Sequence, residues 1–262
     1  MGALARAGRG ARPARVLRHG PRGPAHRGFE ELDLLITNYN FPYYAAHLEA
    51  YGYRKDVDWV EFLVTSPDVM PPKLDRIARV ALDRSKLHVL QLRRKRDLLP
   101  YIDSVFALIN EGYKDLYSVV LLSDAQIRYY TKAFFGFINH EYVKIILDAD
   151  GRMAAFGVSM PSLSRALQKC RGRLLPFGFI HLLRALRRND RLDMLLTAVR
   201  PAYQNKGLGA VIINETWKTA VTHGIRFGET GPELETNTKI QAQWASLETR
   251  QHRRRRCYVK AL

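Results

Sequence analysis

The residues best suited to chemistry lie in LDMLLTAVRPAYQNKGLGAVIIN, residues 192–214. An aliphatic and β-branched run from Leu195 to Val199 meets Arg200-Pro201 and a polar turn. It then reaches Gly207-Leu208-Gly209 and continues into an apolar segment from Ala210. Strand, glycine turn and helix start in that order gather unpaired backbone N–H groups at one point, and the helix dipole adds its positive end. Such a turn suits a phosphate or pyrophosphate. The two glycines let the main chain approach a ligand, because no Cβ intervenes. A dinucleotide fingerprint would need a small residue where Ile212 stands, and the Gly-Lys-Ser/Thr of a P-loop does not occur.

The elements around this turn follow from periodicity. HVLQL (88–92) alternates, and 101–117 and 123–138 carry apolar residues at helical spacing. Ser123 with Gln126 three residues on reads as a capping box. YVKIILD (142–148) and MAAFGVSM (153–160) read as strands joined by the turn Ala149-Asp150-Gly151-Arg152. The helix after the glycine turn should close near His223-Gly224. A strand around 225–230, a helix from about 237 to 248 and a terminal strand at CYVKAL complete the order.

Gln204-x-x-Gly207-x-Gly209, the strand ending in Val199-x-Pro201 and the aliphatic helix beyond together resemble the acetyl-CoA pyrophosphate loop of the GNAT superfamily of N-acetyltransferases. With the element order, the resemblance covers about two-thirds of the chain. It implies an α+β, three-layer fold, with a mixed, mostly antiparallel sheet flanked by helices and a helical insertion between two central strands. It also implies an enzyme that transfers an acetyl group from acetyl-CoA to an amine by direct attack. Main-chain groups near Ala198 and Val199 would receive the pantetheine arm. Gln204, Asn205, Lys206, Gly207, Leu208, Gly209 and Ala210 would hold the pyrophosphate, and Asn237, at the start of the last helix, would meet CoA.

Glu229, on the strand beginning at Ile225, is the expected general base, with Glu233 or Glu235 as neighbours that could serve instead. A strand carboxylate facing a partly dry cleft acquires a raised pKa. Seven residues after Asn237, where many such enzymes carry a tyrosine acid, stands Trp244. Tyr258 and Tyr203 are the substitutes. A catalytically silent module that binds CoA or an anionic polymer is the alternative function.

The N-terminal third reads differently. Residues 1–28 hold seven Arg and no Asp, Glu or Lys, so they read as a disordered Arg/Gly/Pro-rich leader. Residues 29–64 read as the remnant of a first GNAT-like half, with ELDLLITNYN a strand, PYYAAHLEAYGY a helix and WVEFLV a strand. Residues 65–86 read as a linker, and 87–262 as the acyltransferase domain, the second half of a tandem arrangement known in bacteria.

The net charge of +17 falls only to +10 when the seven leader arginines are set aside. That field favours CoA, nucleic acid, anionic lipid or an acidic acceptor. Arg253-Arg254-Arg255-Arg256 reads as a solvated turn or a phosphate-steering patch. Phe179, Leu182, Leu183 and Leu186 alternate with Arg184, Arg187, Arg188 and Arg191 as a basic amphipathic helix. Its apolar face should either pack on the sheet or make a peripheral membrane contact through 174–191. Two cysteines make no disulfide framework and lack metal-ligand spacing, so a cytoplasmic protein with no metal is expected.

Overall fold

The computed structural model describes residues 15–17 and 24–261, so most of the expected leader (1–14 and 18–23) lies outside the described residues. Ten strands form one sheet: β1 (Arg15–Leu17), β2 (Ala25–Arg27), β3 (Arg54–Thr65), β4 (His88–Val89), β5 (Val143–Leu147), β6 (Met153–Pro161), β7 (Arg191–Val199), β8 (Phe227–Thr230), β9 (Glu233–Leu234) and β10 (Thr249–Lys260). Their order is β1-β10-β3-β8-β7-β6-β5-β4, with β2 on β10 and β9 on β3. Every pairing is antiparallel except that of β7 with β8.

Among the described residues, eight α-helices flank it: α1 (Tyr43–Ala50), α2 (Pro72–Ser85), α3 (Ile102–Tyr113), α4 (Asp124–Phe134), α5 (Ser164–Lys169), α6 (Gly178–Arg187), α7 (Leu208–Thr222) and α8 (Thr238–Gln241). The expected three-layer α+β architecture is present, with α5 and α6 inserted between β6 and β7. Helix α7 is sandwiched: eight of its fifteen residues are buried, including Leu208, Val211, Ile212 and Trp217. Its outer side is covered by α2, whose buried Leu74, Ala78 and Ala81 fall at i, i+4 and i+7. Alanines there let the two helices approach closely. The opposite sheet face carries α3, whose Leu108 and Ile109 pack on Ile145, Phe156 and Ala198.

Several expectations are corrected. Residues 65–86 are not a linker, because 72–85 form α2 against α7. Residues 29–64 share this sheet, with β3 lying inside it between β10 and β8. ELDLLITNYN makes turns rather than a strand, since its acids are drawn onto arginines of β10. Part of the leader, 15–17 and 25–27, adds short strands to β10. The helix from 237 is short, α8 passing into a 3₁₀ turn over Ala242–Ser246.

The four arginines are neither a turn nor a surface patch. They sit within β10, and alternation sends them to opposite faces. Arg253 and Arg255, 1% and 2% exposed, meet Glu61 and Asp33, with Arg255 Nε to Glu61 Oε1 at 2.6 Å. Arg254 and Arg256 meet Asp58 on the other face at 2.8–3.0 Å. Although burial works against it, these two guanidinium groups hold the Asp58 carboxyl down at about 2. The expected capping box at Ser123 and Gln126 and the turn closed by left-handed Gly151 are both formed.

Candidate active site

The site is built by the only parallel strand pair among the described residues. Strands β7 and β8 are in register over Arg191–Phe227, Leu192–Gly228, Asp193–Glu229 and Met194–Thr230, closed by Gly231 N–H donating to Met194 O at 2.9 Å. Beyond Met194, β7 continues to Val199 while β8 has ended. The strands therefore part, leaving an opening along the C-terminal half of β7. Leu195 is an extra residue there: Met194 faces Ser159 and Leu196 faces Val158, one step apart on β6. Such a bulge redirects the main chain. Arg200 N–H bonds back to Ala154 O, so Leu196 and Ala198 turn their main-chain groups to β6, and Thr197 and Val199 turn theirs to the opening. The Thr197 carbonyl accepts from Tyr113 Oη at 2.7 Å, and that of Val199 from the Gln204 side chain at 3.4 Å. Ala198 itself is buried beneath α3.

At the far end of the opening the chain makes a 3₁₀ turn, Pro201–Tyr203, and passes through two left-handed residues, Asn205 (φ 60°) and Gly207 (φ 85°). Gly207 is the N-cap of α7, with no side-chain cap and no acidic residue in the first turn. A Cβ on Gly207 would lie 3.1 Å from Ala81 Cβ, and one on Gly209 would lie 2.3 Å from Gln243 Oε1. Gly207 is thus demanded by its left-handed conformation, whereas a side chain at Gly209 would have to displace the flexible end of Gln243. Lys206 Nζ stands 5.1 Å over the Tyr203 ring, and Tyr203 donates to Asp148 at 3.2 Å. The turn presents the N–H groups of Leu208, Gly209 and Ala210 beside a lysine, an arrangement suited to a diphosphate.

At the closed end, where the strands are still paired, two buried carboxylates sit side by side in register. Glu229 and Asp193 are 2% and 1% exposed, and both point to the α3 face with Glu61. Arg191 Nη1 donates to Glu229 Oε1 at 2.8 Å. Burial pushes the Asp193 carboxyl up to about 7, against its neighbours Ser162 and Arg191. Burial, then the Asp193 charge, also raises Glu229 to about 7, with Arg191 opposing. Two buried carboxylates lie beside one guanidinium, which is bonded to Glu229, so the pair titrates together near neutrality. This partner of Glu229 escaped the sequence reading, since parallel pairing between residues 36 positions apart leaves no local signal.

The remaining carboxylates are differently placed. Glu233 is raised to about 7 by burial and accepts from Trp244 Nε1 at 2.9 Å. Trp244, where a tyrosine acid would stand, is buried in the core with Trp217. Glu235 is tied to Lys55 and Arg254, and, against burial, the Lys55 ammonium and the Asp58 N–H hold it below its ordinary value. Tyr258 lies on β10, beyond β3, with its hydroxyl toward Glu49 and its pKa pushed up to about 12, first by burial. The structure places Glu229 at the closed end of the parted strands, buried and paired with Arg191, and Tyr258 two strands away from it. Asn237 caps α8 through its side chain, accepting from Ile240 N–H at 3.4 Å.

No family model matches the chain. It is 23% identical over 244 residues to Protein YghO of Escherichia coli K12, covering 90% of this chain and 61% of that protein. It is 22% identical over 159 residues to a bacterial ceramide synthase of Caulobacter vibrioides, covering 60% of this chain and 40% of that one. The chain thus spans less than two-thirds of the length of both curated relatives. A GCN5-related N-acetyltransferase from Sphaerobacter thermophilus superposes with a TM-score of 0.51 at 10% identity, over 87% of this chain and 57% of that chain. The GCN5-related glucosamine N-acetyltransferase region of a fungal multi-domain β-N-acetylglucosaminidase superposes with a TM-score of 0.55 at 12% identity, over 93% and 24%. With the parted parallel strands and the glycine turn already described, these superpositions establish that the chain has the fold of the GNAT superfamily.

Proposed function

We propose that this chain is an acyl-CoA-dependent N-acyltransferase. The observation that carries the reading is the opening between β7 and β8, with the uncapped start of α7 at one end and a protonatable carboxylate pair at the other. The pyrophosphate of CoA would lie on the N–H groups of Leu208, Gly209 and Ala210, with Gln204, Asn205 and Lys206 around it. The pantetheine arm would run along Thr197 and Val199, with Ala198 packed beneath. Gln243 borders the same end, and Asn237 would meet CoA from the start of α8. The bulge at Leu195 would turn an amide toward the thioester oxygen, stabilising the charge that grows there.

The amine nitrogen attacks the thioester carbonyl carbon, and the C–N bond forms as the C–S bond breaks. Glu229 takes the proton lost by nitrogen, and the departing thiolate takes one in return. A carboxylate near pKa 7 is matched to that transfer at neutral pH. Glu235, held low by its cations, is a weaker base. Acetyl-CoA is the simplest donor. The likeness to a protein named as a ceramide synthase makes an N-acylated lipid the product class to test first.

A second reading, a silent CoA-binding module, is favoured by Trp244 at the position of the general acid. Thiol release from acetyl-CoA and palmitoyl-CoA, measured with a panel of simple and long-chain amines, separates the two. Turnover that Glu229→Gln abolishes supports the enzyme. CoA binding with no thiol release from either donor supports the silent module.

A further inference from the structure

The insertion between β6 and β7 carries a surface that the acyl-transfer site does not use. Helix α6 buries Leu182, yet Phe179, Ile180 and Leu183 remain 42%, 44% and 50% exposed. Just ahead of it Leu174, Leu175 and Phe177 are 45%, 81% and 71% exposed. The expectation that this apolar face packs on the sheet is therefore met by Leu182 and not by its neighbours. Six large apolar side chains stand in solvent within residues 174–183, flanked by exposed Arg171 and Arg173 on one side and Arg184, Arg187 and Arg188 on the other. No Asp or Glu occurs from 151 to 189, and Asp190 is engaged by Arg165 at 3.0 Å.

We propose that residues 171–188 dock this protein on an anionic lipid surface. The apolar tip would enter the headgroup layer, and the arginines would meet lipid phosphates. Charge complementarity selects this occupant. A second copy of the same patch would set five arginines against five, and a neutral partner would leave them unanswered. The place in the fold agrees. The insertion lies at the N-terminal end of β7, whereas the glycine turn lies past its C-terminal end, roughly 27 Å away along the strand. Docking by the insertion would leave the turn in water, open to a soluble anion. The surface stands independently of the acyl-transfer reading.

The test is sedimentation of the full chain with vesicles. Phosphatidylcholine vesicles containing about one-third phosphatidylglycerol should carry the protein down, and pure phosphatidylcholine far less. Leu175→Asp combined with Phe177→Asp should weaken binding at least tenfold. Arg184→Glu combined with Arg187→Glu should weaken it by about fivefold or more for each arginine, since each contributes about 1 kcal/mol at such a surface. All four sites are exposed, so unchanged melting temperatures would show the fold intact. Wild-type protein left in the supernatant with both vesicles, or variants that bind as well as wild type, would overturn the proposal. So would a wild-type dimer that the apolar double variant dissociates while vesicle binding stays unchanged.

Discussion

Replacing Asp193 by Asn probes the paired carboxylates directly. The folded protein holds Asp193 up at about 7, first because it is buried, against an ordinary 3.8. A raised acid binds its proton more tightly folded than unfolded, so its stability is fully present below 3.8 and is lost as pH rises to about 7. That gap, at ~1.4 kcal/mol per pH unit, corresponds to about 4 kcal/mol. Asparagine mimics the protonated form and cannot ionise. Asp193→Asn should therefore match wild type in stability near pH 4 and exceed it by up to about 4 kcal/mol at pH 8. Comparing the two proteins matters, because His252 slopes the other way. Burial drops its pKa to about 4, so stability falls as pH falls from 6.5 to 4 in both proteins. Urea unfolding at pH 4.5 to 8, followed by the fluorescence of buried Trp59, Trp217 and Trp244, gives the difference curve. A difference that is flat with pH, or that favours wild type more as pH rises, would refute the shared-proton argument.

Other expected outcomes follow from the same structure. Glu229→Gln should lower kcat about 10²- to 10⁴-fold with little change in acyl-CoA affinity, measured by thiol release. Glu61→Gln should cost up to about 3–5 kcal/mol in urea unfolding, because it leaves the almost fully buried Arg253 and Arg255 with Asp33 as their remaining carboxylate. Gly157→Ala would put a Cβ 2.3 Å from Ile212 Cγ2, forcing α7 away from β6 at about 1–3 kcal/mol, visible as a lower melting temperature.

The parts legible in the sequence were those set by near neighbours. The glycine turn is one, since Gly207 must adopt a left-handed φ directly before a helix, in a short connection from a strand. The capping box at Ser123 and the hairpin turn at Gly151 are others. What stayed hidden depended on distant partners. Arg253 and Arg255 read as a surface run because Glu61 and Asp33 lie about 190 or more residues earlier and arrive through β3 and the 28–38 segment. Strand β3 showed its alternation but not its place, since β8 and β10 flank it from the other end of the chain. Helix α2 buries Leu74, Ala78 and Ala81 in a narrow stripe, and the charged residues between them made the stretch look like linker. Glu229 could be singled out from its strand, whereas the pairing with Asp193 that tunes it required the parallel register.

Equilibrium binding of CoA, compared with pantetheine and with the Gly207→Asp variant, tests the central claim most directly. Wild type should bind CoA, bind pantetheine far more weakly because it lacks the pyrophosphate, and lose at least tenfold in CoA affinity when a carboxylate is placed at the start of α7. Equal binding of CoA and pantetheine, or Gly207→Asp that folds and binds CoA like wild type, would contradict the assignment of this turn as a diphosphate site.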